Sequence, residues 1–219
     1  TVKCKHLIVV DGPQYSDNVA DTEAFSDIDR DRYEICILPD NTGANGFNGQ
    51  RIYAAFPHLV NTDYVAFLDE DNWFKEDHIE SLMEVIEKKE LDFAFSLRGV
   101  YSPNGQYECN DDCESLGKWP IFLSRSSAHG EHFLIDTSSY LFTRSFIQRT
   151  CHLWHTGAWG EDRRYLQYVR NAAKFETSGK YTLCYRLGGN PNSVTKDFFV
   201  TGNKTQESYY GGNFPWVKR

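Results

Sequence analysis

Apolar positions along this chain fall in two patterns, short continuous runs and positions three or four apart. His6-Leu7-Ile8-Val9-Val10 predicts a first strand, closed by the turn signal Asp11-Gly12-Pro13. Tyr33 to Leu38 predicts a second, ending at Pro39-Asp40. Asn41-Thr42-Gly43-Ala44-Asn45-Gly46 follows, rich in residues that adopt unusual backbone angles. Ile52, Ala55, Phe56 and Leu59 recur at helical spacing, with Pro57 ending or kinking that helix. Tyr64-Val65-Ala66-Phe67-Leu68 reads as a strand buried on both faces, and it stops on Asp69-Glu70-Asp71. Ile79, Leu82, Met83 and Ile86 give one apolar helical face. Glu76 and Asp77 lie in its first turn and Lys88 and Lys89 in its last, as the helix dipole prefers. Phe93 to Leu97 predicts a fourth strand. Strand and helix thus alternate, the pattern of an α/β domain with a mainly parallel, doubly wound, Rossmann-like sheet flanked by helices.

The second half breaks that rhythm. Residues 99–131 have no sustained period and read as irregular loops, a length that in a compact domain is usually functional. His132 to Asp136 and Tyr140 to Thr143 predict strands or one bent strand. Tyr165, Tyr168, Val169 and Ala172 predict a helix after Gly157-Ala158-Trp159-Gly160-Glu161-Asp162, and Tyr181 to Tyr185 a last strand. The tail reads as loop, with Gly188-Gly189-Asn190 and Lys196 a candidate lid. The acidic stretch Asp17 to Asp31 reads as a solvated helix or loop.

The whole, 219 residues, is most simply one domain, regular over residues 1–98 and irregular over 99–219. A formal charge of −8 argues against general nucleic-acid binding, and requires any phosphate ligand to be met by a metal or a few local cations. No apolar run reaches membrane-spanning length and no signal peptide is recognisable. A start without Met suggests a domain cut from a longer protein. Six Cys do not make a small disulfide scaffold here. Cys4, Cys36 and Cys184 read as small hydrophobes in strands, and Cys109 and Cys113 as a weak metal signal, so the expected setting is reduced and cytoplasmic.

The chemistry concentrates at Asp69-Glu70-Asp71. Carboxylates at i and i+2 of a strand share a face, so Asp69 and Asp71 are candidates to share one Mg²⁺ or Mn²⁺. The calcium-loop alternative fails because Trp73 and Phe74 stand where a ligand and a glycine belong. A phosphatase using the first Asp as nucleophile is disfavoured by Trp73 where Thr or Val is wanted. A sugar-binding module without turnover stays open. A second acidic spot, Glu161-Asp162, opens the late helix. There Asp162 would be kept ionised by the dipole and suit a general base. Lys196 and Arg163 are candidates to neutralise phosphate.

The ordered set of Asn/Gly-rich turn, Arg51 helix, Phe67-Leu68-Asp69-Glu70-Asp71, Ile135-Asp136-Thr137-Ser138-Ser139 and Trp159-Gly160-Glu161-Asp162 resembles the GT-A glycosyltransferases, especially family 2. The similarity covers residues 5–187, and the chain also looks like chlorella virus-encoded members of that fold, which would imply a host cytoplasm. The resemblance implies a metal-dependent transferase taking a nucleotide sugar, a UDP-sugar such as UDP-glucose, to a glycan hydroxyl. It makes residues 1–98 the nucleotide-sugar-binding half and 99–219 the acceptor-side half, and sets Val10, Asp11, Gly12, Pro39, Asp40, Asn41 and Arg51 around the nucleotide. Asp69, Glu70 and Asp71 become the D-x-D for ribose and metal (Mn²⁺ or Mg²⁺), and Asp162 the base of an inverting displacement. Asp136, Trp159, Gly160 and Glu161 fall on the acceptor or sugar. A retaining transferase is the alternative. One departure is plain: no His follows Asp162 to serve as a third metal ligand, and His152 and His155 lie upstream of it.

Overall fold

The computed structural model describes residues 2–20, 32–123, 132–154, 160–189 and 194–217. Contacts divide the chain into two compact units, Thr1–Val60 with Cys151–Glu161, and Asn61–Thr150 with Asp162–Arg219. In the first unit, β1 (His6–Val10) and β2 (Tyr33–Ile37) pair in parallel, His6 opposite Tyr33 and Val10 opposite Ile37, with the single turn α1 (Asp17–Ala20) following β1. The Leu38 N–H donates to the Val10 carbonyl at 2.9 Å, so the turns after both strands leave from the same end. α2 (Gln50–Ala55) gives way at once to a 3₁₀ turn, Phe56–His58, in which Pro57 stands where its missing N–H does no harm. The returning segment packs here: Tyr53 meets Trp154 edge-on at 5.6 Å, and His58 Nε2 lies 3.2 Å from Cys151 Sγ.

The second unit contains β3 (Tyr64–Ala66), β4 (Trp73–Phe74), α3 (His78–Lys89), β5 (Phe93–Tyr101), β6 (Tyr107–Asn110), β7 (Tyr140–Thr143) and α4 (Arg144–Thr150). α5 (Glu161–Val169, from Asp162 on), β8 (Phe175–Arg186) and α6 (Lys196–Tyr210) complete it. The sheet runs β3-β7-β5-β8-β4, with β6 also on β5. The α/β class holds, but the pairing is more mixed than the alternation predicts. β1 with β2 and β5 with β8 are parallel; every other pair is antiparallel. The cause is β7, a late strand that inserts between β3 and β5 and runs against both.

β5 is buried from Phe93 to Val100 and organises the unit. Phe93 stacks on Phe175 at 4.7 Å and touches Tyr140, Phe142 and Phe146, closing an aromatic core. One edge of β5 belongs to β8 along its whole length. The other edge changes partner, to β7 over Phe93–Phe95 and to β6 over Gly99–Tyr101. At that same level β8 bulges, with Gly179 at φ 73, a value that suits glycine. The sheet therefore opens around Ser96-Leu97-Arg98.

Several expectations change. His132 to Asp136 is irregular, not a strand, and residues 99–131 contain the end of β5 and all of β6. The tail is the fifteen-residue helix α6, begun by a Thr195 side-chain cap and ended at Gly211 in the left-handed region. Its sequence shows little helical period, because Phe198, Phe199 and Gly202 make a short apolar face among polar residues. Cys4 is exposed outside β1, while Cys36 and Cys184 do lie in strands. No disulfide joins any of the six cysteines.

Burial gives one buried group a pH signature. His78, fully buried and stacked on Phe74 at 3.8 Å, has Nδ1 2.9 Å from Thr182 Oγ1. Desolvation lowers its pKa to about 4, against the ordinary 6.5. The unfolded chain therefore binds the proton first as pH falls. Stability is complete above about pH 6.5, declines toward pH 4 and levels off below, by an amount on the order of 3 kcal/mol. Urea unfolding at a series of pH values should show this slope, and His78→Gln should flatten it.

Candidate active site

In the first unit, Asp11 follows β1 and closes the turn after β2. Its Oδ1 accepts from the Thr42 N–H and Oγ1, both at 2.7 Å, and its Oδ2 from the Gly43 N–H at 2.7 Å. Asp11 is thus committed to holding the Asn41-Thr42-Gly43 loop. Arg51, on α2, lies 3.5 Å over the Phe47 ring and donates to the Thr42 carbonyl at 3.3 Å. Val10 and Gly12 are buried, while Pro39 and Asp40 are exposed and Asn41 half-buried. The structure gathers these predicted residues at the carboxyl ends of two parallel strands, where open α/β sheets take ligands.

The second unit holds a feature that the sequence reading missed. Arg98, 2% exposed, sits where β5 changes partner, and three carboxylates enter the opening. Arg98 Nε donates to Asp111 Oδ2 at 2.7 Å, one terminal nitrogen to Asp136 Oδ2 at 2.5 Å and the other to Glu114. The guanidinium also lies 4.3 Å from the Tyr185 ring centre. Burial works against its charge, but the three carboxylates outweigh that and raise its pKa. For Asp111, burial is outweighed by Arg98 and by the Ser115 and Cys113 N–H groups, and its carboxyl falls below the usual range. For Glu114 burial prevails over Arg98, and its carboxyl stays raised.

From Asp136 the network reaches the acidic stretch. Asp136 Oδ1 accepts from the Ser138 N–H at 2.9 Å; the Ser138 hydroxyl donates to Asp69 Oδ2 at 3.1 Å and accepts from the Asp69 N–H at 3.0 Å. Asp69 and Asp71 do not share a strand face, however. β3 ends at Ala66, and Asp69 to Asn72 is a tight turn closed by the Asn72 N–H on the Asp69 carbonyl at 3.1 Å. Asp71 is half-buried and Glu70 exposed. Burial, then Glu70 and Asp136, raises the Asp71 carboxyl, with Arg186 opposing. Gly189 approaches so closely that a Cβ there would lie 2.1 Å from Asp71 Oδ2. Of the candidate lid, Gly189 therefore lies against this turn, Gly188 faces Pro103, Asn190 falls outside the described residues, and Lys196 is paired with Glu108.

Among the described residues, no three His, Cys, Asp or Glu side chains stand close enough to hold a metal on their own, Cys109 and Cys113 included. The donors at the turn still fit a hard divalent cation that takes one or two carboxylates and completes its shell with substrate phosphate and water. Such a cation would offset the negative charge of Glu70 and Asp136, which adds to burial in raising Asp71.

Asp162 stands in the first turn of α5. Its Oδ1 accepts from the Arg163 N–H at 2.7 Å, and Arg163 also donates to Glu114 at 3.3 Å. The dipole was expected to keep Asp162 readily ionised; burial wins instead. Desolvation raises its carboxyl, Asp136 adds to the rise, and Arg163 and Arg98 only partly oppose it. Glu161 is 3% exposed and Gly160 has φ 79. Trp159 and His155 lie outside the described residues, and His152 is exposed.

The model of glycosyl transferase family 2 matches residues 5–149. An uncharacterized protein of Haemophilus influenzae is 30% identical, over 38% of this chain and 68% of that protein. Solved structures of S. aureus TarS 1-349 share the fold. The structure alone gives a TM-score of 0.52 at 13% identity, covering 84% of this chain and 51% of TarS. The complex with UDP-GlcNAc gives 0.54 at 12%, covering 94% and 57%. The chain thus spans little more than half of the TarS structures it matches. Its mixed sheet with flanking helices is the GT-A fold. No helix of the described residues is long and apolar enough to cross a membrane.

The Arg98 network makes a stability prediction. Arg98→Met leaves three buried carboxylates without their cation and should cost about 3 to 5 kcal/mol. Arg98→Lys keeps the charge but not the three-way fork and should cost less. Urea unfolding of the two variants beside the parent measures both.

Proposed function

The chain belongs to glycosyl transferase family 2, and from that premise we propose that it moves a sugar from a UDP-linked donor to a glycan hydroxyl with inversion. TarS was solved with UDP and with UDP-GlcNAc, which supports a donor of that class. The observation that carries the reading is the carboxyl of Asp162, set beside Asp136 and Arg163 in the same charge network as Asp69, with its proton affinity raised by burial. A carboxylate of raised basicity is the better proton acceptor, provided it is ionised at working pH.

In this mechanism the acceptor oxygen attacks the anomeric carbon from the face opposite the diphosphate. The bond from that carbon to the phosphate oxygen breaks through an oxocarbenium-like state, and its electron pair leaves with the diphosphate. Asp162 takes the proton of the attacking hydroxyl. Asp136 is assigned to sugar hydroxyls, and Arg98 fixes its orientation. Asp69 and Asp71 are assigned to ribose and metal. A bound Mn²⁺ or Mg²⁺ would neutralise charge on the leaving diphosphate. The exposed Asp40 carboxylate is assigned to the uracil N3–H, and Asp11 shapes the loop beside it. A cytoplasmic setting belongs to this reading.

Two tests follow. Asp162→Asn should lower transfer by roughly 10²-fold or more, the share of a positioned base, while donor affinity stays near the parent value. In the parent, kcat/KM should rise with pH through a midpoint above the ordinary carboxylate range, since the base acts ionised and its pKa is raised. NMR of the product should show inverted configuration. Retention, or near-parent transfer by Asp162→Asn, sinks this role. Separately, Asp40→Ala should weaken UDP binding by about 1.5 to 3 kcal/mol. Titration calorimetry with UDP and ADP decides whether Asp40 reads the base, and equal losses would show that it does not.

A further inference from the structure

A cleft of about 520 Å³ lies elsewhere in the second unit, lined by Lys89, Lys118, Arg170, Lys174, Phe175 and Glu176 among others. It belongs to the opposite end of the sheet from Asp71. Phe175 pairs with Phe93 at the start of β5, whereas Arg186, beside the Asp69–Asn72 turn, pairs with Tyr101 at its end. At ~3.3 Å per residue, that separates the two places by about 25 Å along the strand. Four cations around one carboxylate stand out in a chain whose formal charge is −8.

Local structure accounts for only half of them. Lys89 ends α3 and Arg170 follows α5, positions where a helix dipole favours cations. Lys118 and Lys174 lie on neither helix. Lys89 and Lys118 both converge on Glu176 Oε2, at 3.5 and 3.3 Å, so one carboxylate holds two ammonium groups at the cleft. Lys118 also lies 5.2 Å from the Phe175 ring centre. The Arg170 guanidinium is 3.5 Å over Phe133, a stacking that fixes its plane and leaves its N–H rim to in-plane acceptors. Among the described residues, no acid forms an ion pair with Arg170 or Lys174.

We propose that this cleft binds a small phosphate-bearing ligand, at a site separate from the one assigned to sugar transfer. A phosphate matches the available donors, a flat guanidinium edge with several mobile ammonium groups. The volume suits a compact ligand. The chain's overall negative charge disfavours a long polyanion running beyond the cleft. The phosphate belongs either to a soluble molecule or to a lipid headgroup, and the proposal stands independently of the transfer reaction.

The test uses the whole chain with EDTA present, so that no metal links phosphate to the acidic turn. Calorimetric titration with inorganic pyrophosphate should show one saturable site that weakens with added salt. The exposed pair Lys118→Glu with Lys174→Glu, checked for fold by circular dichroism, should weaken it at least about tenfold through two charge reversals. Arg170→Gln should weaken it in a background with both lysines intact. In parallel, co-sedimentation uses phosphatidylcholine vesicles containing about one part in three phosphatidylglycerol. Vesicle binding lost in the double variant assigns the phosphate to a headgroup; pyrophosphate binding without vesicle binding assigns it to a soluble ligand. If neither probe binds the parent, or the variants bind both as the parent does, the proposal is wrong.

Discussion

Arg98 is the constraint on which the second unit depends. A guanidinium on a strand buried on both faces survives only if every charge around it is matched and every N–H directed. Asp111, Glu114 and Asp136 meet that demand, and each arrives from a loop that would otherwise have no fixed course. Asp111 also accepts the N–H groups of Cys113, Glu114 and Ser115, so the same carboxylate that balances Arg98 shapes the loop beside it. The change of partner along β5 and the bulge in β8 make the room.

At Glu114 and Asp162, Arg98 only partly offsets the effect of burial. One buried cation serves three carboxylates, and Arg163 is shared with Glu114. Burial is the largest cause at both Asp71 and Asp162; Glu70 and Asp136 add to it at the first and Asp136 at the second, and both hold protons more tightly than ordinary carboxyls. Both acids thus carry a perturbed proton affinity of the kind that marks a candidate functional site. Fixed partners keep the arrangement rigid: the Ser138 hydroxyl and N–H join Asp69 to Asp136 without a mobile side chain between them.

The helix α6 supports this from outside. Gly202 lets it approach Cys113, where a Cβ would come within 2.6 Å of the sulfur. Asn203 bridges the Asn110 carbonyl and the Asp112 N–H, and Gln206 donates to the Pro120 carbonyl. The Trp216 indole N–H and the Tyr181 hydroxyl close on Asp112. A stretch without sequence period is thus ordered by a tail that reads as loop.

Local order was written in the chain. The runs at His6–Val10 and Tyr33–Ile37, the face of α3 with its terminal charges, the break at Pro57 and the acids at Asp69 to Asp71 all express short-range physics, namely side-chain period, dipole and turn chemistry. The ordered motifs were also enough to indicate the family. Arg98 left a legible trace, a lone charge after the apolar run Phe93–Leu97, but nothing nearby named its partners. Those lie 13, 16 and 38 positions away, and only the packed sheet brings them together. The insertion of β7 between β3 and β5 is likewise a choice among long-range pairings that period does not encode. Asp162 shows the limit most sharply. Its place at a helix start was readable and argued for easy ionisation, yet its basicity was decided by burial and by Asp136, because a charge responds to everything within its field and not to its neighbours in sequence.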